Sequence, residues 1–207
     1  MSIALLVSSI SCHRSRSLLP ALSLGLATMS TAASSASTDH GIPLEGKRLQ
    51  LVQDAMALFG SKPSPEIFKR SWTEGAIFED PIAYCKGSAE YYPQWLGMPK
   101  AFPISETLEW KVVTNEPNLI EYTQKQKYTL PIKATKVMDS LVRMELDSSE
   151  KITHFEDRWG GKPCPTNKIA MFLRRANART VPKLIGVPIE YKQVFSAGST
   201  HAKKDEL

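Results

Sequence analysis

Two short segments, far apart in the chain, hold the side chains best suited to proton chemistry. They are Phe78-Glu79-Asp80-Pro81 and His154-Phe155-Glu156-Asp157-Arg158-Trp159, and each sets ionisable groups among aromatics at the end of a structural element. A carboxylate stripped of solvent in an apolar surround has its pKa raised, which suits it to general acid or base work near neutrality. Asp80, Asp157 and His154 are therefore the candidate catalytic groups. Each has a plainer structural reading. Asp80 precedes Pro81, and Asp-Pro is a turn-forming pair whose carboxylate caps the local backbone. His154 fits an ordinary surface or core position on a strand. In a regular strand His154 and Asp157 face opposite ways. One phase turns His154, Glu156 and Arg158 together; the other turns Phe155, Asp157 and Trp159. The aromatics favour the second phase inward, unless a bulge between Ile152 and Phe155 reverses it locally.

Partners for such groups are also present. Tyr84 or Tyr122 could offer a phenol to a substrate oxygen, or serve simply as core. Gln124 and Gln126 fall on the otherwise apolar face of a strand. Burying an unpaired amide costs about 1–3 kcal/mol. They therefore need water or a ligand in a pocket, a partner such as Asp80 or Tyr122, or exposure at a rim. The candidate pocket lining is Phe78, Tyr84, Trp95, Trp110, Tyr122, Gln124 and Trp159. No Gly-rich phosphate loop, His-Glu-x-x-His zinc motif or Gly-x-Ser-x-Gly elbow occurs. Cys12, Cys85 and Cys164 make no zinc-type spacing, so neither metal nor cofactor is expected.

The elements that must position these residues follow from periodicity. Leu51, Val52, Ala55, Leu58 and Phe59 recur at helical spacing from about Glu45, with Gly60 as a stop. Ser64-Pro65-Glu66 opens a second helix, with Ile67, Phe68, Ser71 and Trp72 on one face and Gly75 at its end. A short strand from Ala76 to Glu79 leads into Asp80-Pro81. Gly87-Ser88 caps a third helix that carries Tyr92, Trp95 and Leu96 and is kinked by Pro93 or begins late. Strands follow: Leu108, Trp110 and Val112; then Ile120, Tyr122, Gln124, Gln126, Tyr128 and Leu130; then Val142, Met144 and Leu146. The Lys151–Trp159 strand ends at Gly160-Gly161. After Pro163 and Pro165, Ile169, Phe172, Leu173 and Ala176 mark a last helix with Arg174 and Arg175 on its polar side. Helices first and a meander afterwards predict an α+β fold: N-terminal helices on a strongly curved, mostly antiparallel sheet, plus a C-terminal helix.

That order of motifs resembles the SnoaL-like branch of the nuclear-transport-factor-2-like superfamily, over roughly residues 45–162. The resemblance implies three helices and a bent sheet forming a cone, open at its mouth to a buried pocket. It also implies either of two functions. One is cofactor-independent acid/base catalysis on a small, partly apolar molecule: isomerisation, dehydration, cyclisation or hydrolysis. The other is a non-catalytic module that binds a ligand or pairs through its sheet face as a homodimer. Asp80 stands at the family's acidic position after the first strand. Fold alone does not choose between these functions.

The ends differ from the middle of this 207-residue, net +5 chain. Residues 1–38 contain no acid and read as a leader or a tail. Residues 39–162 read as the cone domain, 163–191 as a helical extension packing on it, and 192–207 as a flexible tail. Lys204-Asp205-Glu206-Leu207 spells an endoplasmic-reticulum retrieval signal, so the lumen of that compartment is the expected address. Arg14 and Arg16 before an apolar stretch suit a signal peptide, or a plastid or mitochondrial transit peptide. A start at Met29 would leave the protein in the cytosol. Basic residues crowd Lys162 to Lys192, where Glu190 is the only acid. That stretch suits a solvated face, an anionic membrane or nucleic acid. The expected partner is a small molecule, with no nucleic acid and no membrane span.

Overall fold

The computed structural model describes residues 40–196. The targeting candidates, residues 1–38 and Lys204 to Leu207, lie outside them. Helix α1 (Gly46–Phe59) buries the expected stripe of Leu51, Val52, Ala55, Leu58 and Phe59 and is closed by Gly60. Helix α2 (Pro65–Ser71) starts where the sequence places it: the Ser64 hydroxyl accepts from the Ile67 N–H, with Pro65 in the first turn. It ends sooner than its apolar face predicts. Trp72 is already extended, and strand β1 (Trp72–Asp80) begins there because Trp72 pairs with Ile152 across the sheet. A hairpin unforeseen in the sequence carries Asp80 into β2 (Ala83–Lys86). Helix α3 (Ser88–Ala101) starts at the expected cap, Gly87, and runs through Pro93 and Pro99.

Strands β3 (Ile104–Glu116), β4 (Leu119–Thr129), β5 (Thr135–Leu146) and β6 (Ile152–Trp159) form an antiparallel meander. Strand β6 then pairs in parallel with β1, giving the curved, open six-stranded order β2-β1-β6-β5-β4-β3. Register breaks in β3 explain why Leu108, expected inward, is exposed: it sits at the shift between Thr107 and Glu109. The inward set of β4 is as expected, from Ile120 to Leu130, and Val142, Met144 and Leu146 face it from β5. Helices α1, α2 and α3 cover that face through Leu58, Phe68, Tyr91 and Trp95, joined by Trp72 and Phe155 from the sheet. Rings stack through this core, Trp72 on Phe155 at 5.2 Å and Phe78 against Trp95 at 4.9 Å. Helices packed into one face of a bent open sheet make the α+β cone that the resemblance implied.

The last long helix, α4 (Lys168–Leu184), is present but rotated from its expected orientation. Arg174, Asn177, Ala178 and Val181 are buried, whereas Ile169, Phe172 and Leu173 are 75%, 73% and 60% exposed. The reason is the chemistry of Arg174. Its guanidinium donates to the carbonyls of Asp80 (3.0 Å), Ala83 (3.3 Å) and Pro165 (2.8 Å), and to the Glu79 carboxylate. Several backbone acceptors at the β1–β2 corner and one carboxylate satisfy a fork of donors that no apolar side chain could replace. A short helix α5 (Ile189–Lys192) returns Tyr191 to the core beside Phe68 and Tyr92.

Candidate functional site

The cavity of chemical interest has a volume of about 90 Å³ and lies between α3, α4 and the inner face of the sheet. Phe78 and Asp80 enter from β1, Trp95 and Met98 from α3, Asp157 and Trp159 from β6, and Asn177 and Val181 from α4. Of the sequence candidates, the cavity thus brings together Phe78, Asp80, Trp95, Asp157 and Trp159. Strand phase accounts for the β6 pair. A bulge at Thr153 does occur, since Leu146 pairs with Ile152 and Glu145 with His154. It puts Ile152 and Phe155 both inward, and Asp157 follows Phe155 onto the cavity face.

The two carboxyls are held differently. Asp80 Oδ1 accepts from the N–H groups of Ile82 (2.8 Å) and Ala83 (2.6 Å), the turn-capping geometry that Asp-Pro suggests. Burial pushes the Asp80 pKa up to about 6, against the pull of those two N–H groups and of Arg174. Asp157 is buried, and its Oδ2 accepts from Trp159 Nε1 at 2.8 Å while Oδ1 has no partner. Burial is again the main cause of its pKa of about 7; the nearby Ser140 hydroxyl and the Trp159 N–H lower it, and the Asp80 charge raises it. Two coupled carboxyls that titrate near neutrality hold, between them, one proton and one lone pair over part of that range.

The remaining candidates stand elsewhere. His154 faces the opposite side of the sheet, where Nε2 meets Glu79 Oε1 at 2.7 Å; that bond raises its pKa. Glu79 in turn pairs with Arg174, so its pKa stays low despite burial. Tyr84 sits outside the cavity, under the guanidinium of Arg174 at 5.5 Å from its ring centre. Tyr122 is wholly buried in the core with an unpartnered hydroxyl, and burial drives its pKa well above the usual phenol value. Trp110 stacks on His40 at 4.1 Å and, with Gln124, borders a second, more open concavity of about 690 Å³ near the β3 edge. Gln124 is buried with both amide atoms unpartnered. Gln126 is satisfied by Ser105 (2.8 Å) and Thr107 (2.8 Å), neither of which the sequence suggested as its partner.

Sequence reasoning missed two wall residues, Gln94 and Asn177. Gln94 and Trp95 each present an N–H without a hydrogen-bond partner, and Asn177 donates to the Ile82 carbonyl at 2.8 Å. Gln94, a polar residue after Pro93 on α3, carries no local signal that it faces a cavity. Asn177 was hidden by reading α4 from its apolar stripe. Among the described residues no cluster of His, Cys, Asp and Glu is arranged to hold a metal ion. Cys85 and Cys164 are free, buried thiols.

The sequence matches no protein-family model and no curated protein. Solved structures of similar shape include a nuclear-transport-factor-2-like protein of Anabaena variabilis, with 13% identity, TM-score 0.47, and coverage of 56% of this chain and 91% of that one. A phenazine biosynthesis-related protein of Pseudomonas aeruginosa shares 15% identity at TM-score 0.44, over 59% of this chain and 92% of that one. A SnoaL-like family protein of Agrobacterium tumefaciens, described as a candidate isomerase, shares 13% identity at TM-score 0.44, over 56% and 98%. The likeness is one of shape, and no residue role is carried over from these proteins.

Proposed function

We propose that this protein binds a small, partly apolar molecule in the cone and moves a proton on it. The observation that carries this reading is the pair Asp80 and Asp157, with pKa values of about 6 and 7, in the wall of one aromatic cavity. Asp80 would take the proton on Oδ2, the oxygen that does not cap the turn. Asp157 in its protonated form would donate to an oxygen of the ligand, with the Trp95 and Gln94 N–H groups as further donors. Such a site suits isomerisation, dehydration, cyclisation or hydrolysis. Size limits the ligand: an engineered cavity of about 150 Å³ takes up benzene. A cavity of about 90 Å³ therefore suits a short ketone or lactone, with Met98 and Met138 as adaptable walls.

Exchange of a ligand's α-protons in deuterated water, followed by proton NMR, tests this directly. Short ketones and lactones that raise the melting temperature should lose their α-proton signals, and Asp80→Asn should slow that loss by about a hundredfold or more. Asparagine keeps the Oδ1 acceptor, so the turn survives the change. One observation favours a second reading, a non-catalytic binding module: Asp80 already serves as a turn cap. Ligand-induced stabilisation without exchange would establish that module instead, and exchange indifferent to Asp80→Asn would overturn Asp80 as the base.

A further inference from the structure

We propose that the outward face of α4 docks on an anionic lipid surface. Ile169, Phe172, Leu173 and Leu184 are exposed large apolar residues of this helix. Their spacing places them, with Ala176 between them, on one stripe along its solvent side. Among the described residues nothing covers the stripe, because Arg174, Asn177, Ala178 and Val181 hold the opposite side of the helix against the body. Lys168, Arg179 and Lys183 are exposed alongside it. Glu90, the carboxylate whose charge reaches Arg179, is already gripped by both Arg175 terminal nitrogens at 2.5 and 2.9 Å. Ile189, beyond the end of α4, is exposed as well, beside the exposed acid Glu190.

An amphipathic helix of low overall hydrophobicity, with aromatic and aliphatic residues on one face and basic residues flanking them, lies in the plane of a bilayer interface rather than across it. Among the described residues no helix is long and apolar enough to span. Charge decides between lipid and a second copy of the chain. Two α4 helices packed stripe to stripe would bring Lys168, Arg179 and Lys183 of each copy towards those of the other, whereas acidic headgroups neutralise them. The docked helix is also a wall of the cavity, through Asn177 and Val181. Docking therefore sets the binding site beside the lipid.

Vesicle sedimentation with the full chain tests the proposal. The protein should pellet with phosphatidylcholine vesicles carrying about a quarter phosphatidylserine, and at least tenfold less with phosphatidylcholine alone. Binding should weaken as salt is raised. Phe172→Asp with Leu173→Asp should cut partitioning by about tenfold or more while circular dichroism and the melting transition stay unchanged, because both side chains already face solvent. Lys168→Glu with Lys183→Glu, which keeps the apolar stripe, should abolish the preference for the anionic vesicles. Absence of binding overturns the proposal. So does binding that survives the Phe172/Leu173 variant, since the contact then lies elsewhere on the chain. A concentration-dependent dimer in analytical ultracentrifugation that the same variant dissolves would assign the face to self-association and overturn it as well.

Discussion

Asp157 is ionised at a cost its surroundings only partly offset, through the Trp159 N–H on Oδ2 and the Ser140 hydroxyl nearby. Its folded pKa of about 7 lies above the ordinary carboxylate value, so the folded state binds more protons than the unfolded one between about pH 4 and pH 7. The associated stability is whole below about pH 4 and is lost as pH rises through about 7. Asp80, at about 6, acts in the same direction over a narrower window. Glu79 opposes them: its lowered pKa gives stability that is lost as pH falls. Asp157→Asn should therefore leave stability at about pH 4 near wild type and raise it by about 2 kcal/mol at pH 8, roughly half of what the full shift implies, because buried sites relax. Urea melts across that range check it, and a pH-independent difference would refute the titration. Arg174 makes the opposite case. Replacing it with Met strands Glu79 and several carbonyls, and should cost about 3–5 kcal/mol in the same assay.

Helices and strands vary in how much of their placement shows in the sequence. Strand β6 was legible to the residue: alternation put Phe155, Asp157 and Trp159 on one face, and a bulge at Thr153 left that choice intact. Helix α2 was legible at its start, because a capping hydroxyl and a proline are local signals. Ser64→Ala should accordingly cost about 1 kcal/mol in thermal or urea unfolding, and an unchanged midpoint would mean that packing alone sets this terminus. Its end was illegible, because the pairing of Trp72 with Ile152 is a tertiary event that local spacing does not encode. The hairpin after Asp80 escaped notice for the same reason. In α4 the apolar stripe pointed the wrong way: burial of one arginine against long-range acceptors outweighed the packing of Ile169, Phe172 and Leu173. The cavity's carboxyls were visible as residue types in aromatic company. Its indole, Trp95, was visible as well, whereas its amides, Gln94 and Asn177, became visible only once α3 and α4 were set against the sheet.

At the scale of the whole molecule, the question is whether residues after Gly161 are an accessory to the cone or part of it. The extension contributes buried polar contacts as well as apolar ones. Arg174 closes the β1–β2 corner that carries Asp80, and Asn177 donates to the Ile82 carbonyl in that same turn. Val181 completes the cavity wall, and Tyr191 stands in the aromatic core at 5.9 Å from Phe68 and 5.6 Å from Tyr92. A chain cut after Lys162 would expose these rings and leave the Ala83 carbonyl and Glu79 without their guanidinium. Each buried acceptor left unsatisfied costs about 1–3 kcal/mol, and several such losses approach the entire stability of an ordinary domain, about 5–15 kcal/mol. The truncated chain should therefore lose its single cooperative urea transition, or show a midpoint lowered by more than half, when followed by tryptophan fluorescence. A transition preserved at the full-length midpoint would mean that the cone ends at Trp159. In that case α4 would be a detachable arm, and the placement of Asp80 would have to come from its own turn alone.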